Sequence, residues 1–166
     1  MDTPLKSRPT HGPTPRLGER QMTAILGSLT IPGNADKVSG ARAFITRTLT
    51  AAGRARRVDS YAATLLTSEL VTNAILHTAS GADGGEVTIV VVGVPDGVLI
   101  EVIDDGSASM PVVKGDLFAA DGHGLYLVQQ LAAQWGYLRD PAGTTVWFHL
   151  AADRLADSRR HGFADG

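Results

Sequence analysis

The sequence predicts an α+β two-layer sandwich, in which a mixed or antiparallel sheet is covered on one face by three helices. Helical and β-branched apolar segments follow one another along the chain in the order βααββαββ. Two of the β-branched segments flank an Asp-Gly pair, which is a strong hairpin signal. The chain of 166 residues is long enough for one domain with a buried core. We expect that domain over residues 22–151.

The first half of the domain is predicted to contain one strand and two helices. Residues 22–31 are expected to form the strand, because a Pro-Gly pair follows them. Asn34 or Asp36 is expected to cap the first helix, which ends near Gly53. The second helix is expected over residues 59–78, where a glycine-rich stretch ends it.

The second half is predicted to contain four strands and one helix. The Asp-Gly hairpin joins strands over residues 86–92 and 98–103. A loop of about fifteen residues separates this hairpin from a helix over residues 125–134. A short strand near residues 137–138, a turn and a last strand over residues 144–150 complete the sheet.

Composition and charge exclude several classes of protein. The chain has 15 basic and 17 acidic residues, a formal net charge of −2, which argues against a general nucleic-acid binder. It has no cysteine, so disulfides, thiolate metal sites and cysteine nucleophiles are excluded. No apolar run reaches the roughly 20 residues that span a bilayer. We expect a cytoplasmic protein that binds neither membranes nor nucleic acid directly.

Both ends of the chain are polar and are expected to lie outside the domain. Residues 1–21 hold four of the eight prolines and several basic side chains, a composition typical of a disordered tail. Residues 152–166 are also polar, and we expect a flexible C-terminal tail there.

The second predicted helix carries polar residues on an apolar side. Glu69, Asn73 and His77 are four residues apart, so they form one stripe along the helix. By the same count, four leucines project to that side: Leu65, Leu66, Leu70 and Leu76. Burying polar groups without partners would cost roughly 1–3 kcal/mol each. The stripe therefore needs either internal partners or a cavity that holds a polar ligand.

Two further segments indicate an anion site. Asp104 and Gly106 follow directly after a predicted strand, and the run from Gly122 to Gly124 opens into an apolar helix. Free N–H groups at a helix start, approached through glycines, suit a phosphate group. The chain contains neither a Walker A motif nor a complete dinucleotide fingerprint. Its histidines lack the spacing of zinc ligands, and no serine lies in a G-x-S-x-G elbow.

Taken in order, four segments resemble the motifs of the GHKL ATPase superfamily, which includes gyrase, the large heat-shock chaperones, histidine kinases and mismatch-repair ATPases. Residues 69–77 resemble the N box, 102–106 the first G box, 122–128 the second G box and 143–146 the closing strand. The resemblance spans roughly residues 28–151. It is closest to the small histidine-kinase-like ATPases related to bacterial anti-sigma factor serine/threonine kinases.

The resemblance implies the Bergerat ATP-binding fold, with ATP and Mg²⁺ as ligands and a role for each matching residue. Asn73 would hold the magnesium ion, and Glu69 would act as the general base. Asp104 would accept a hydrogen bond from the adenine amino group, with Gly106 letting the base lie close. Thr145 would support the adenine pocket.

The second G box would bind the phosphates. The resemblance assigns this role to four consecutive residues: Gly122, His123, Gly124 and Leu125. Residues 107–121 would form a lid over the nucleotide. Ala108 stands where the family often has a second glycine, and Lys114 is the only basic residue in the lid. His77 matches a frequent N-box histidine and would have a structural or supporting role.

Two functions follow from the resemblance, and a third reading stays open. The protein would be a transcription-regulating serine/threonine kinase that phosphorylates a small anti-anti-sigma-type partner. Alternatively, it would be a non-catalytic module that sequesters a sigma factor or another regulator in a nucleotide-dependent way. The third reading is a pocket that no longer binds nucleotide. Relatives often form homodimers, but the sequence displays no dimer face.

Overall fold

From residue 24 onward the order of strands and α-helices follows the predicted one, and a two-residue strand over Thr10–His11 precedes it. The computed structural model describes residues 10–11, 23–106 and 123–153. Its strands and α-helices in chain order are β1 (Thr10–His11), β2 (Ala24–Pro32), α1 (Val38–Ala51), α2 (Ser60–His77), β3 (Glu86–Val94), β4 (Gly97–Asp104), α3 (His123–Leu131), β5 (Gln134–Asp140) and β6 (Gly143–Ala151). None of the helices among these residues is both long and apolar enough to cross a membrane.

The strands form one mixed sheet in the order β1-β5-β6-β4-β3-β2. Among the described strands, only the β1–β5 pair is parallel, and the neighbours from β5 to β2 are antiparallel. The helices pack on one face, which confirms the predicted α+β two-layer sandwich. β1 belongs to the segment predicted as a tail, and it pairs with Gly136 and Tyr137 of β5. Residues 1–9, 12–22 and 154–166 lie outside the described residues, so the tail predictions stay predictions.

The core lies between the sheet and the helices. Alternate residues of the central strands point into it, as the two-residue period of a strand requires; these are Val87, Ile89 and Val91 of β3, Val98, Ile100 and Val102 of β4, and Val146, Phe148 and Leu150 of β6. α1 contributes a face at helical spacing: Ala41, Phe44, Ile45, Thr48 and Leu49. A smaller cluster of Val94, Leu99 and Trp147 is separate from this core.

The two longer helices begin in different ways. α2 begins within one residue of its predicted start, and Asp59 caps it, because Oδ1 of Asp59 accepts a hydrogen bond of 2.9 Å from the N–H of Ala62. Neither Asn34 nor Asp36 caps α1, so that prediction is wrong. A 3-10 turn over Ala35–Lys37 leads into α1 instead, and Asp36 pairs with Lys37 at 2.9 Å.

The β3–β4 hairpin is tighter than the predicted strands over residues 86–92 and 98–103, because β3 continues to Val94 and β4 begins at Gly97. Val94 pairs with Gly97, so the loop consists of Pro95 and Asp96. Pro95 has a fixed negative φ, which suits the second position of a turn, and glycine is favoured at the fourth. The prolyl ring therefore decides the centre of this turn.

The third helix lies nearer the N-terminus than predicted. α3 spans His123–Leu131, and Gln134 already belongs to β5. The carbonyl of His149 in β6 accepts a hydrogen bond from Ala133 at 2.9 Å. This contact with the sheet starts β5 earlier than the local pattern suggests.

Replacing Asp59 with alanine should destabilise the domain by about 1 kcal/mol, because the capped N–H of Ala62 loses its acceptor. Urea unfolding measures the change. Asp59→Asn keeps a side-chain oxygen at the same place and should retain most of the stability. Equal losses in both variants would show that the cap is not the source of the effect.

Candidate functional site

A buried carboxyl group lies at the end of β4. Asp104 is the last residue of that strand and is 7% exposed. Ile100 and Val102 of the same strand belong to the main core, and Asp104 follows them at the two-residue period. Its side chain therefore points toward the helices. Its Oδ1 accepts a hydrogen bond of 2.7 Å from the backbone N–H of Gly106.

Burial raises the pKa of the Asp104 carboxyl above its ordinary value, and hydrogen bonds from the backbone N–H groups of Gly106 and Thr144 oppose that rise. The positive charge of Arg139 also lowers this pKa, while the negative charge of Asp105 raises it. An ionised carboxylate has about four acceptor positions. Asp104 can therefore accept a further hydrogen bond from an amino group of a ligand.

Two glycines bring β6 into direct backbone contact with the end of β4. Gly106 has a φ of 70°, a conformation that side chains disfavour. A Cβ on Gly106 would lie 3.0 Å from the Cα of Gly143, and a Cβ on Gly143 would overlap the carbonyl oxygen of Asp104. Larger residues at either position would push β6 away from Asp104.

The start of α3 lies against two polar side chains of α2. Glu69 and Asn73 are both half-buried. A Cβ added to Gly124 would lie 3.1 Å from Nδ2 of Asn73 and 3.3 Å from Oε2 of Glu69. The structure therefore brings together Glu69, Asn73 and Gly124, which the sequence predicted as site residues.

This meeting point combines three chemical groups. The first N–H groups of a helix have no partner within the helix and carry a partial positive charge, so they suit an anion. Glu69 provides a carboxylate that can accept a proton, and Asn73 provides an amide oxygen that can bind a hard cation. A cation held by one protein oxygen and by phosphate oxygens is a common arrangement for Mg²⁺. The residues present therefore fit a magnesium–phosphate ligand.

The other residues of the predicted second G box are described only in part. His123 and Leu125 lie in the first turn of α3, but their side chains are outside the described part of the structure. Gly122 and the predicted lid, including Ala108 and Lys114, lie outside the described residues. Their predicted roles stay predictions.

Thr145 does not lie beside Asp104. It pairs with Ile103, whereas Thr144 pairs with Asp104. Because neighbouring residues of a strand point to opposite faces, Thr145 shares its face with Trp147 and lies away from the helices. Thr144 is buried, and its N–H lowers the pKa of Asp104. Sequence reasoning missed Thr144, although the strand period relative to Val146 and Phe148 could have indicated it.

The C-terminal turn of α2 is more exposed than the sequence predicts. His77 is exposed, and Leu76 is 64% exposed rather than buried among the other leucines. Leu66 and Leu70 are buried as expected. The polar stripe therefore begins at the edge of the core and reaches the surface at His77, where the helix ends.

Comparison with known proteins identifies the family. The sequence model of one protein family, the histidine kinase-like ATPase domain, matches residues 31–150. The chain belongs to this family, which confirms the resemblance found in the sequence motifs and implies a nucleotide-binding site. The comparison with curated proteins finds no match.

A solved structure shares the fold. The crystal structure of the RsbU and RsbW domains of Rv1364c from Mycobacterium tuberculosis matches with a TM-score of 0.51 and 20% sequence identity. The match covers 77% of this chain and 33% of that chain, so this protein spans about a third of its length. At this identity the likeness shows the fold alone.

The raised pKa of Asp104 predicts a pH dependence of stability. The folded state holds the proton of Asp104 more tightly than the unfolded state, in which the pKa of this carboxyl has its ordinary value of 3.8. The protonated carboxyl therefore contributes to the free energy of unfolding. This contribution is fully present below pH 3.8 and is lost as the pH rises through the pKa of the folded state. Relative to Asp104→Asn, the wild type should therefore lose free energy of unfolding as the pH rises from about 3 to about 7. Urea unfolding of both proteins measures this difference, and a constant difference would contradict the assigned shift.

Proposed function

We propose that the protein is an ATP-binding regulatory kinase of the anti-sigma-factor type. It would transfer the γ-phosphate of ATP to a serine or threonine hydroxyl of a small anti-anti-sigma-type protein in the cytoplasm. The observation that carries this proposal is the approach of Gly124 to both Glu69 and Asn73, because it joins a base, a cation ligand and a helix N-terminus. The RsbW domain named in the matching structure supports the choice of kinase type.

Each residue has a part in the proposed transfer. Asp104 accepts from the adenine amino group, and the first amides of α3 hold the phosphates. Glu69 accepts the proton of the partner's serine or threonine hydroxyl. The oxygen of that hydroxyl then bonds to the γ-phosphorus, while the bond between this phosphorus and the leaving ADP oxygen breaks. Asn73 would hold Mg²⁺, which neutralises phosphate charge when bound.

The surface of α2 around Tyr61 and Leu76, called its outer flank, supports the proposal that the phosphate acceptor is a protein. Glu69 is the only Asp, Glu, Lys or Arg among the eighteen residues of this helix. Tyr61 is 75% exposed and Leu76 is 64% exposed on it. Large apolar side chains exposed on a helix with so little charge are suited to contact with another protein.

Nucleotide binding is tested by thermal unfolding with and without ATP and Mg²⁺. A ligand at about 100 times its dissociation constant should stabilise the fold by about 2.7 kcal/mol. Asp104→Asn should reduce this stabilisation to about half or less, because the adenine amino group loses its charged acceptor. Asp83→Asn makes the same chemical change at an exposed site and should keep it. A wild type without any shift would contradict ATP binding, and a full shift in Asp104→Asn would contradict the role of that residue.

Catalysis is tested with Glu69→Gln, which removes the base and keeps the side-chain shape. We expect an unchanged ATP-dependent shift in unfolding temperature and a loss of phosphate transfer of roughly 10²–10⁴-fold. Transfer is measured with labelled ATP and an anti-anti-sigma-type protein, and Glu86→Gln on β3 serves as the exposed control.

The same experiment separates the two functions. Transfer that survives in Glu69→Gln would contradict the assigned base. A wild type that binds this partner or a sigma factor only with ATP, but transfers no phosphate, would instead indicate the non-catalytic module.

A further inference from the structure

A buried serine links the connection after α2 to the end of β4. Ser80 has no exposed surface. Its hydroxyl donates to the carbonyl oxygen of Glu86 at 2.5 Å and accepts from the backbone N–H of Asp105 at 2.9 Å. One side chain thus joins the first residue of β3 to the residue directly after Asp104.

Two more hydrogen bonds hold the same segment. Oδ2 of Asp105 accepts from the N–H of Glu86 at 2.8 Å, and the N–H of Ala79 donates to the carbonyl oxygen of Gly106 at 2.5 Å. The N–H of Gly106 in turn donates to Oδ1 of Asp104. The two residues that follow Asp104 are therefore fixed to the connection after α2.

Close backbone packing keeps Ser80 in place. A Cβ added to either Gly33 or Gly85 would overlap the carbonyl oxygen of Ser80. Thr78 accepts a hydrogen bond of 3.2 Å from the N–H of Ser80. The hydroxyl thus has little freedom to find other partners, and its removal leaves the N–H of Asp105 without this acceptor.

We propose that Ser80, together with Asp105, is a positioning residue that holds the segment 104–106 so that the Asp104 carboxyl meets the adenine amino group. This inference rests on the proposed function, in which Asp104 binds adenine. It extends that function to two residues that contact no part of the nucleotide in the proposal. Ser80 acts through the backbone of Asp105, and Asp105 acts through the backbone of Glu86.

The test compares ATP with purine riboside triphosphate, which lacks only the adenine amino group. Wild-type protein should bind ATP about tenfold or more tightly than the analogue, because the analogue cannot donate a hydrogen bond to the charged Asp104 carboxylate. Ser80→Ala should bring this ratio close to one, and its affinity for the analogue should stay within about twofold. Isothermal titration calorimetry measures both dissociation constants.

A matched control separates positioning from general loosening of the fold. Thr67 in α2 is also fully buried, and its hydroxyl donates to the carbonyl oxygen of Ala63 at 2.8 Å. Thr67→Val removes this hydroxyl without touching the segment 104–106, so the ratio should stay at the wild-type value. An equal loss of the ratio in Thr67→Val and Ser80→Ala would overturn the inference.

A second pair of variants covers the case in which Ser80→Ala fails to fold. Asp105 is exposed, and Asp105→Ala should lower the ratio, whereas Asp105→Asn keeps an acceptor for Glu86 and should restore it. An unchanged ratio in Asp105→Ala would overturn the positioning role while ATP binding stands. A wild type that binds no ATP, or that does not distinguish the two nucleotides, would overturn the proposed role of Asp104 and this inference with it.

Discussion

The site depends on the close approach of α3 to α2. Gly124 lies where an added Cβ would come within 3.1 Å of the Asn73 amide and 3.3 Å of the Glu69 carboxylate. This approach brings the positive end of a helix to a carboxylate and an amide. A side chain at Gly124 would separate the helices, and the three groups would no longer share one region. The apolar packing of both helices on the sheet keeps them at this distance.

Burial of Asp104 is the second constraint on the site. A carboxyl group can be buried at the end of a strand only if hydrogen bonds offset part of its lost hydration. Gly106 and Thr144 donate such bonds, but burial still dominates and the pKa is raised. A ligand that donates a hydrogen bond to this carboxylate lowers the remaining free-energy cost of its burial. A buried acid with acceptor capacity therefore suits a binding role better than a purely structural one.

The helix α2 connects these two parts of the site. Its middle carries Glu69 and Asn73, and its C-terminal end leads into the connection that holds Asp105 and Gly106. The phosphate side and the adenine side of the proposed site are thus attached to one rigid element. Tyr61 and Leu76 are exposed on the same helix, where the proposed protein partner would make contact.

The sequence alone determined what depends on local periodicity. It predicted the order of helices and strands from β2 onward, the four-residue spacing of polar side chains in α2, and an acid at a strand end, because each follows from neighbouring residues. The tertiary structure decided what depends on contacts between distant segments. Strand register places Thr144 rather than Thr145 opposite Asp104, since a shift of one residue reverses the face of a strand. Ser80 bonds to the backbone 25 residues further along the chain, and only the packing of the connection after α2 against β4 brings them together.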